Sequence, residues 1–186
     1  MAQKLKKELK DKILYETKLE ILNYGFENAS IRNIARNCDI SVGNIYRYYD
    51  NKDALFKSTY NDFYKELYNL IQMYSKNRIA RFKKFHFKNL FDVNELIDEF
   101  TNSLINIIIE HKTEALILFI NKLEIEKLLM WFADTLEELD KHNKDKLYYK
   151  MSANGIINAI TYALNNSDNI EEIKVNVILY LKENLV

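Results

Sequence analysis

"SIRNIARNCDISVGNIYRYYDNKDALF", residues 30 to 56, sets three helix-capping residues, Ser30, Ser41 and Asn51, ten or eleven positions apart. The side-chain oxygen of each can accept one of the N–H groups that the first helical turn leaves unpaired, so a helix is expected after each. Behind Ser30, the residues Ile31, Ile34 and Ala35 mark the buried side of a helix that ends near Asn37. Cys38, Asp39 and Ile40 then lead to a second short helix over 41–47, with Ile45 pointing inward to join Ile34 and Ile40. Upstream, Ile13, Leu14, Thr17, Ile21 and Leu22 share one face of a helix that ends near Tyr24. Gly25 stands where a left-handed cap is wanted, and Phe26 folds back onto that face.

Two short helices joined by a three-residue turn make a helix-turn-helix, whose second helix enters the major groove of DNA. Ile45 and Tyr49 are needed for the core, which leaves Val42, Gly43, Asn44, Tyr46, Arg47 and Tyr48 to face a partner. Gly43 allows close backbone approach, Asn44 and Arg47 can bond base edges or phosphate, and tyrosine hydroxyls commonly bond phosphate.

Residues 13 to 56, "ILYETKLEILNYGFENASIRNIARNCDISVGNIYRYYDNKDALF", resemble the N-terminal domain of the TetR family of transcriptional repressors. The shared pattern is Gly25 and Phe26, the Ser30 cap, Ile34 and Ala35, then Ser41, Gly43, Ile45 and Tyr46, closing with Tyr49, Lys52 and Leu55. The resemblance implies that Ser30, Ser41, Tyr46 and Lys52 touch backbone phosphates, and that Val42, Gly43, Asn44, Arg47 and Tyr48 lie against the groove. Asn51 would cap the following helix and set Lys52 and that helix's N-terminus beside a phosphate. The chain departs from the family pattern with Cys38 and Asp39 where Ala-Gly is common in the turn, Tyr49 where Phe is usual, and Val42 where Lys is frequent.

The rest of the chain fits an all-α protein. Proline is absent, there are three glycines, and apolar residues recur at spacings of three and four. One long helix is expected over 52–74, with further helices over 93–111, 113–140, 146–164 and 169–184. The domains are accordingly 1–51, the helix-turn-helix DNA-binding domain, and 52–186, a helical ligand-binding and dimerisation domain. In the family the later helices surround a small-molecule cavity, and by that resemblance Phe100, Leu104, His111, Phe119 and Trp131 are candidate lining residues. The last two helices of family members pair with their copies, which makes Gly155, Ile156, Ala159, Ile160, Ala163, Ile173 and Val177 the candidate dimer face. The stripe of Gly155, Ala159 and Ala163 at intervals of four also permits close helix approach within one subunit.

Charge is polarised although the net is +0. Lys and Arg number 11 against 8 Asp and Glu over 1–57, 7 against 2 over 58–88, and 9 against 17 over 89–186. A basic N-terminal end suits phosphate. The run "SKNRIARFKKFHFK", 75 to 88, holds six basic residues and no acid; it could sit near an anionic ligand, but reads more readily as a solvated connecting segment. The lone Cys38 excludes an internal disulfide, and no N-terminal apolar run of signal-peptide length or bilayer-spanning length is present, so a cytoplasmic protein without membrane contact is expected. There is no phosphate-binding glycine loop, no HExxH and no metal-ligand spacing among His86, His111 and His142, so neither enzyme activity, metal nor cofactor is expected. The expected partners are double-stranded operator DNA with a palindromic sequence, a second copy of the chain as homodimer, and a small-molecule effector whose binding releases the DNA. The alternative is a helical adaptor of the same fold that binds a protein instead of DNA.

Overall fold

The computed structural model describes residues 2–84, 91–139 and 145–185. It contains α1 (Ala2–Asn28), α2 (Ile31–Asn37), α3 (Val42–Ile45), α4 (Lys52–Ser58), α5 (Asn61–Lys84), α6 (Phe91–Glu110), α7 (Lys112–Ile120), α8 (Lys122–Leu139), α9 (Lys146–Asn166) and α10 (Ile170–Leu185), with no strand among the described residues. The chain forms two compact units, Met1–Tyr64 with Thr113–Asn121, and Lys65–Lys112 with Lys122–Val186.

In the first unit Ile13, Thr17 and Ile21 of α1 are fully buried, and the Thr17 hydroxyl is satisfied by donating to the Ile13 carbonyl at 2.6 Å. Ile34, Ala35, Ile45, Leu55 and Phe56 complete the core around them. Leu14 is only partly buried and Leu22 is exposed, so the inward stripe of α1 is narrower than its apolar pattern. Gly25 breaks α1 with φ +74 and ψ 171. This differs from the expected left-handed helical cap, and it is a region that is essentially glycine's alone. Phe26 does turn back, but onto Phe56 of α4 and Tyr60, edge to face at 5.9 and 6.3 Å between centroids.

The single helix expected over 52–74 is two helices. Ser58 and Thr59 turn their hydroxyls back onto the Leu55 and Phe56 carbonyls, each at 2.6 Å, and the Thr59 and Tyr60 N–H groups bond three residues back. Such local bonding competes with the helical ladder and ends α4. The helix expected over 113–140 likewise divides, at Asn121, whose N–H bonds the Leu118 carbonyl three residues back and whose side chain reaches the Tyr60 hydroxyl at 3.3 Å. α7 carries the buried Ala115, Ile117 and Leu118, and Phe119 meets Phe63 edge to face at 6.4 Å, within the first unit.

In the second unit α9 is capped by Asp145, which accepts from the Leu147 N–H at 2.8 Å. It packs against α8 and α10. Its buried side is Tyr149, Ala153, Ile156, Ile157, Ile160 and Leu164, and α10 contributes Ile173, Val177 and Leu181. A Cβ on Gly155 would stand 3.2 Å from the Tyr180 hydroxyl oxygen of α10, so the small residue does serve close helix approach, inside one subunit.

Candidate nucleic-acid interface

Local chemistry builds the helix-turn-helix. The Ser30 hydroxyl accepts from the Asn33 N–H at 3.4 Å, and the Ser41 hydroxyl from the Asn44 N–H at 3.3 Å, both residues having extended backbone. Asn51 caps α4 by accepting from the Ala54 N–H at 2.8 Å. Between α2 and α3, Asp39 has φ +59, the backbone that a glycine would adopt more easily at this point of the turn. Lys12 of α1 holds its carboxylate at 3.3 Å. Cys38 is buried, as a small hydrophobe would be, and burial foremost, then the nearby Glu16 carboxylate, raises its thiol pKa.

The pattern of residues alone does not show how α2 is anchored. Glu20 is buried, and its carboxylate accepts both the Ser30 N–H and the Asn33 side-chain amide at 3.0 Å. A buried carboxylate at a helix N-terminus is favoured by the orphan donors it meets there. The available signal was its place on the face of Thr17 and Ile21, where an acid is out of pattern.

α3 is short, and Ile45 is its buried residue. Ser41, Gly43, Tyr46 and Arg47 are exposed, while Val42, Asn44 and Tyr48 are half-buried. These residues thus share one open surface beside the core. Ser30 is half-buried, and its hydroxyl keeps a proton to donate while its oxygen caps α2. Lys52 sits at the start of α4 with its ammonium 4.9 Å from the centre of the Phe56 ring. Tyr49 is buried beneath α3, its hydroxyl without a hydrogen-bond partner. Burial raises its pKa, with the Ser58 hydroxyl pulling the other way, but Ser58 already donates to the Leu55 carbonyl and makes no well-formed bond to the phenol.

Beside α3 runs the N-terminal part of α1, which begins at Ala2, well before the apolar face that marks it in the sequence. Lys6, Lys7 and Lys10 join Arg47 and Tyr48 around an open groove of about 370 Å³. These lysines are absent from the expected interface because their stretch carries charge but no apolar periodicity.

The remaining candidate residues are divided between the two units. Phe100, Leu104 and His111 lie on or just after α6 in the second unit, where His111 pairs with Glu66 at 3.2 Å, whereas Phe119 belongs to the first unit. The side chain of Trp131 lies outside the described residues, as do His86 and His142. Of the candidate dimer face, Ile156, Ile160, Ile173 and Val177 are at most 3 % exposed within a single chain and pack in the α9–α10 core. Gly155, Ala159 and Ala163 are half-buried. The exposed large apolar residues of these helices include Leu147, Tyr148, Met151 and Tyr162 on α9, with Ile170, Val175 and Leu179 on α10.

A capped two-helix unit with its second helix open to solvent defines the class: a helix-turn-helix DNA-binding domain. Residues 15–59 match the family described as bacterial regulatory proteins, tetR family. No curated protein matches the chain significantly. Among solved structures, one described as a TetR-family transcriptional regulator from Syntrophomonas wolfei superposes with a TM-score of 0.61 at 19% identity, covering 97% of this chain and 96% of that one. A TetR-like transcriptional regulator from Rhodococcus sp. RHA1 gives 0.57 at 14% identity, covering 95% of each chain. The fatty acid degradation regulator FadR from Bacillus halodurans gives 0.56 at 15%, covering 92% of this chain and 96% of that one. At these identities the likeness establishes a shared fold along the whole chain. Among the described residues no helix is long and apolar enough to cross a membrane, and no cluster of three metal-ligating side chains occurs.

Proposed function

We propose that this protein is a homodimeric transcriptional repressor that reads a palindromic operator through α3 and its flanks and lets go when a small molecule binds the C-terminal domain. The observation that carries the reading is α3 itself. Ile45 holds it to the core while Gly43, Tyr46 and Arg47 stand open, a surface suited to groove and phosphate contact. Ser30, Ser41, Val42, Asn44, Tyr48 and Lys52 would complete the contact. Dimerisation would use the exposed apolar stripe of α9 and α10, Leu147, Met151, Tyr162, Val175 and Leu179, because unpartnered apolar residues grouped on helix faces favour burial against a copy. A two-fold dimer would require two half-sites about one helical turn apart or a multiple of it. Effector control would operate by differential affinity, the ligand favouring a dimer whose recognition helices are wrongly spaced.

The test is duplex binding measured against salt. The full chain should bind with an affinity that falls steeply as salt rises. Tyr46→Ala combined with Arg47→Ala should weaken operator binding and flatten that dependence; unchanged binding would exclude α3 as the reading element.

A further inference from the structure

The groove between α1 and α3 has a chemical peculiarity. Its lining is Lys6, Lys7, Lys10, Arg47 and Tyr48, four cations and a phenol with no carboxylate. Among the described residues the ion pairs of α1 fall at Lys4, Lys12 and Lys18, with Glu8, Asp39 and Glu114 respectively, and skip Lys6, Lys7 and Lys10. Lys6 and Lys10 are one turn apart on the same face, a like-charge spacing that costs helix stability. Two of the ammonium groups are directed at α3 and its end, Lys6 lying 5.9 Å from the Tyr48 ring and Lys10 5.9 Å from the Tyr49 ring. Positive charge gathered in this way, with no carboxylate in the lining, is an arrangement that an anion completes.

We propose that this groove is a second phosphate-binding site, which takes the sugar–phosphate backbone of the DNA strand bordering the groove that α3 enters. The inference rests on the DNA-binding reading above and extends its footprint onto α1. Spacing favours a polyanion over a single ion. Lys6 and Lys10 are separated by about 6 Å of helix axis, against one phosphate per roughly 3.4 Å of duplex axis on each strand. Position favours the groove wall, because Tyr48 and Arg47 follow the last turn of α3 and tie the lysines to the helix that is inserted. The site offers α1 ammonium groups where Val42 offers no cation, so phosphate charge is met from a different helix. Its contribution is to affinity and register; it reads no base.

The experiment compares the full-length protein with a Lys6→Gln, Lys7→Gln, Lys10→Gln variant on an operator duplex and on an unrelated duplex, across a salt series. All three side chains are exposed, and circular dichroism verifies that the variant is folded. The expected result is a log–log salt slope smaller by about two to three per protomer, with both duplexes weakened alike and their affinity ratio kept. An unchanged slope in a folded variant, with the parent binding normally, overturns the α1 site and leaves the α3 reading standing. A changed affinity ratio with an unchanged slope also overturns it, since phosphate contacts do not discriminate sequence. If the parent itself shows no salt-dependent duplex binding, both the α3 reading and this site fall.

Discussion

The α2–α3 region and the α9–α10 pair both present open helix surfaces, yet they are legible to very different degrees. In α2–α3 the decisive information is local: a serine three residues before the N–H it caps, and one buried isoleucine on a helix too short to have two apolar sides. In α9–α10 the information is an apolar pattern with two sides. Ile156, Ile160, Ile173 and Val177 look like an interface and are the chain's own core, while Met151, Tyr162, Val175 and Leu179 remain outside. Periodicity finds apolar stripes, but it does not say which one the chain itself buries.

The largest expected effect separates those two stripes. Ile156→Ala should cost about 2–5 kcal/mol of folding stability through lost burial and the cavity left behind, seen as a lower denaturation midpoint. Met151→Glu, on the open stripe, should leave the midpoint of the monomer nearly unchanged and shift sedimentation toward the monomer. The reverse pairing of outcomes would return the dimer face to the inner stripe.

A smaller effect tests the entrance to the helix-turn-helix. Gly25→Ala forces a Cβ into a backbone region that non-glycine residues avoid, although there is space for the atom itself. The expected loss is about 1–3 kcal/mol, measurable by chemical denaturation, and an unchanged midpoint would show that α1 can end another way.

The smallest effect has the opposite sign. Tyr49→Phe removes a buried hydroxyl that has no partner and keeps the ring. Stability should be unchanged or rise by up to about 1 kcal/mol, and a clear loss would show that the hydroxyl is satisfied in solution. Below the ordinary tyrosine pKa of 10.0 the phenol is neutral in both folded and unfolded chains, so no dependence on pH arises there. Above it, the raised folded-state pKa means the unfolded chain gives up its proton first and stability falls. The Phe variant should lose that part of the alkaline fall.

Much of the first unit could thus be read from residues in order: three caps, the turn through Asp39, and the inward Ile34, Ile45 and Leu55. What escaped has physical reasons. The end of α4 depends on Ser58 and Thr59 choosing carbonyls over water, which a run of helix-compatible residues does not reveal. Glu20 is a surface type by composition and becomes a buried anchor because α2 brings two donors to it. Lys6, Lys7 and Lys10 lie in a stretch with no apolar face, so nothing in the spacing marks it as a continuation of α1 beside α3. Phe119 joins the first unit although it is more than fifty residues downstream of the helix-turn-helix, a placement fixed by tertiary contact with Phe63.

The most direct measurement of the DNA-binding claim is selection of bound duplexes from a random library by the purified full-length protein, followed by sequencing. An enriched inverted repeat, with half-sites about one helical turn apart or a multiple of it, is the expected result and would supply the operator for every binding test above. A folded, dimeric protein that enriches no sequence would contradict a DNA-reading role and favour the helical adaptor that binds a protein.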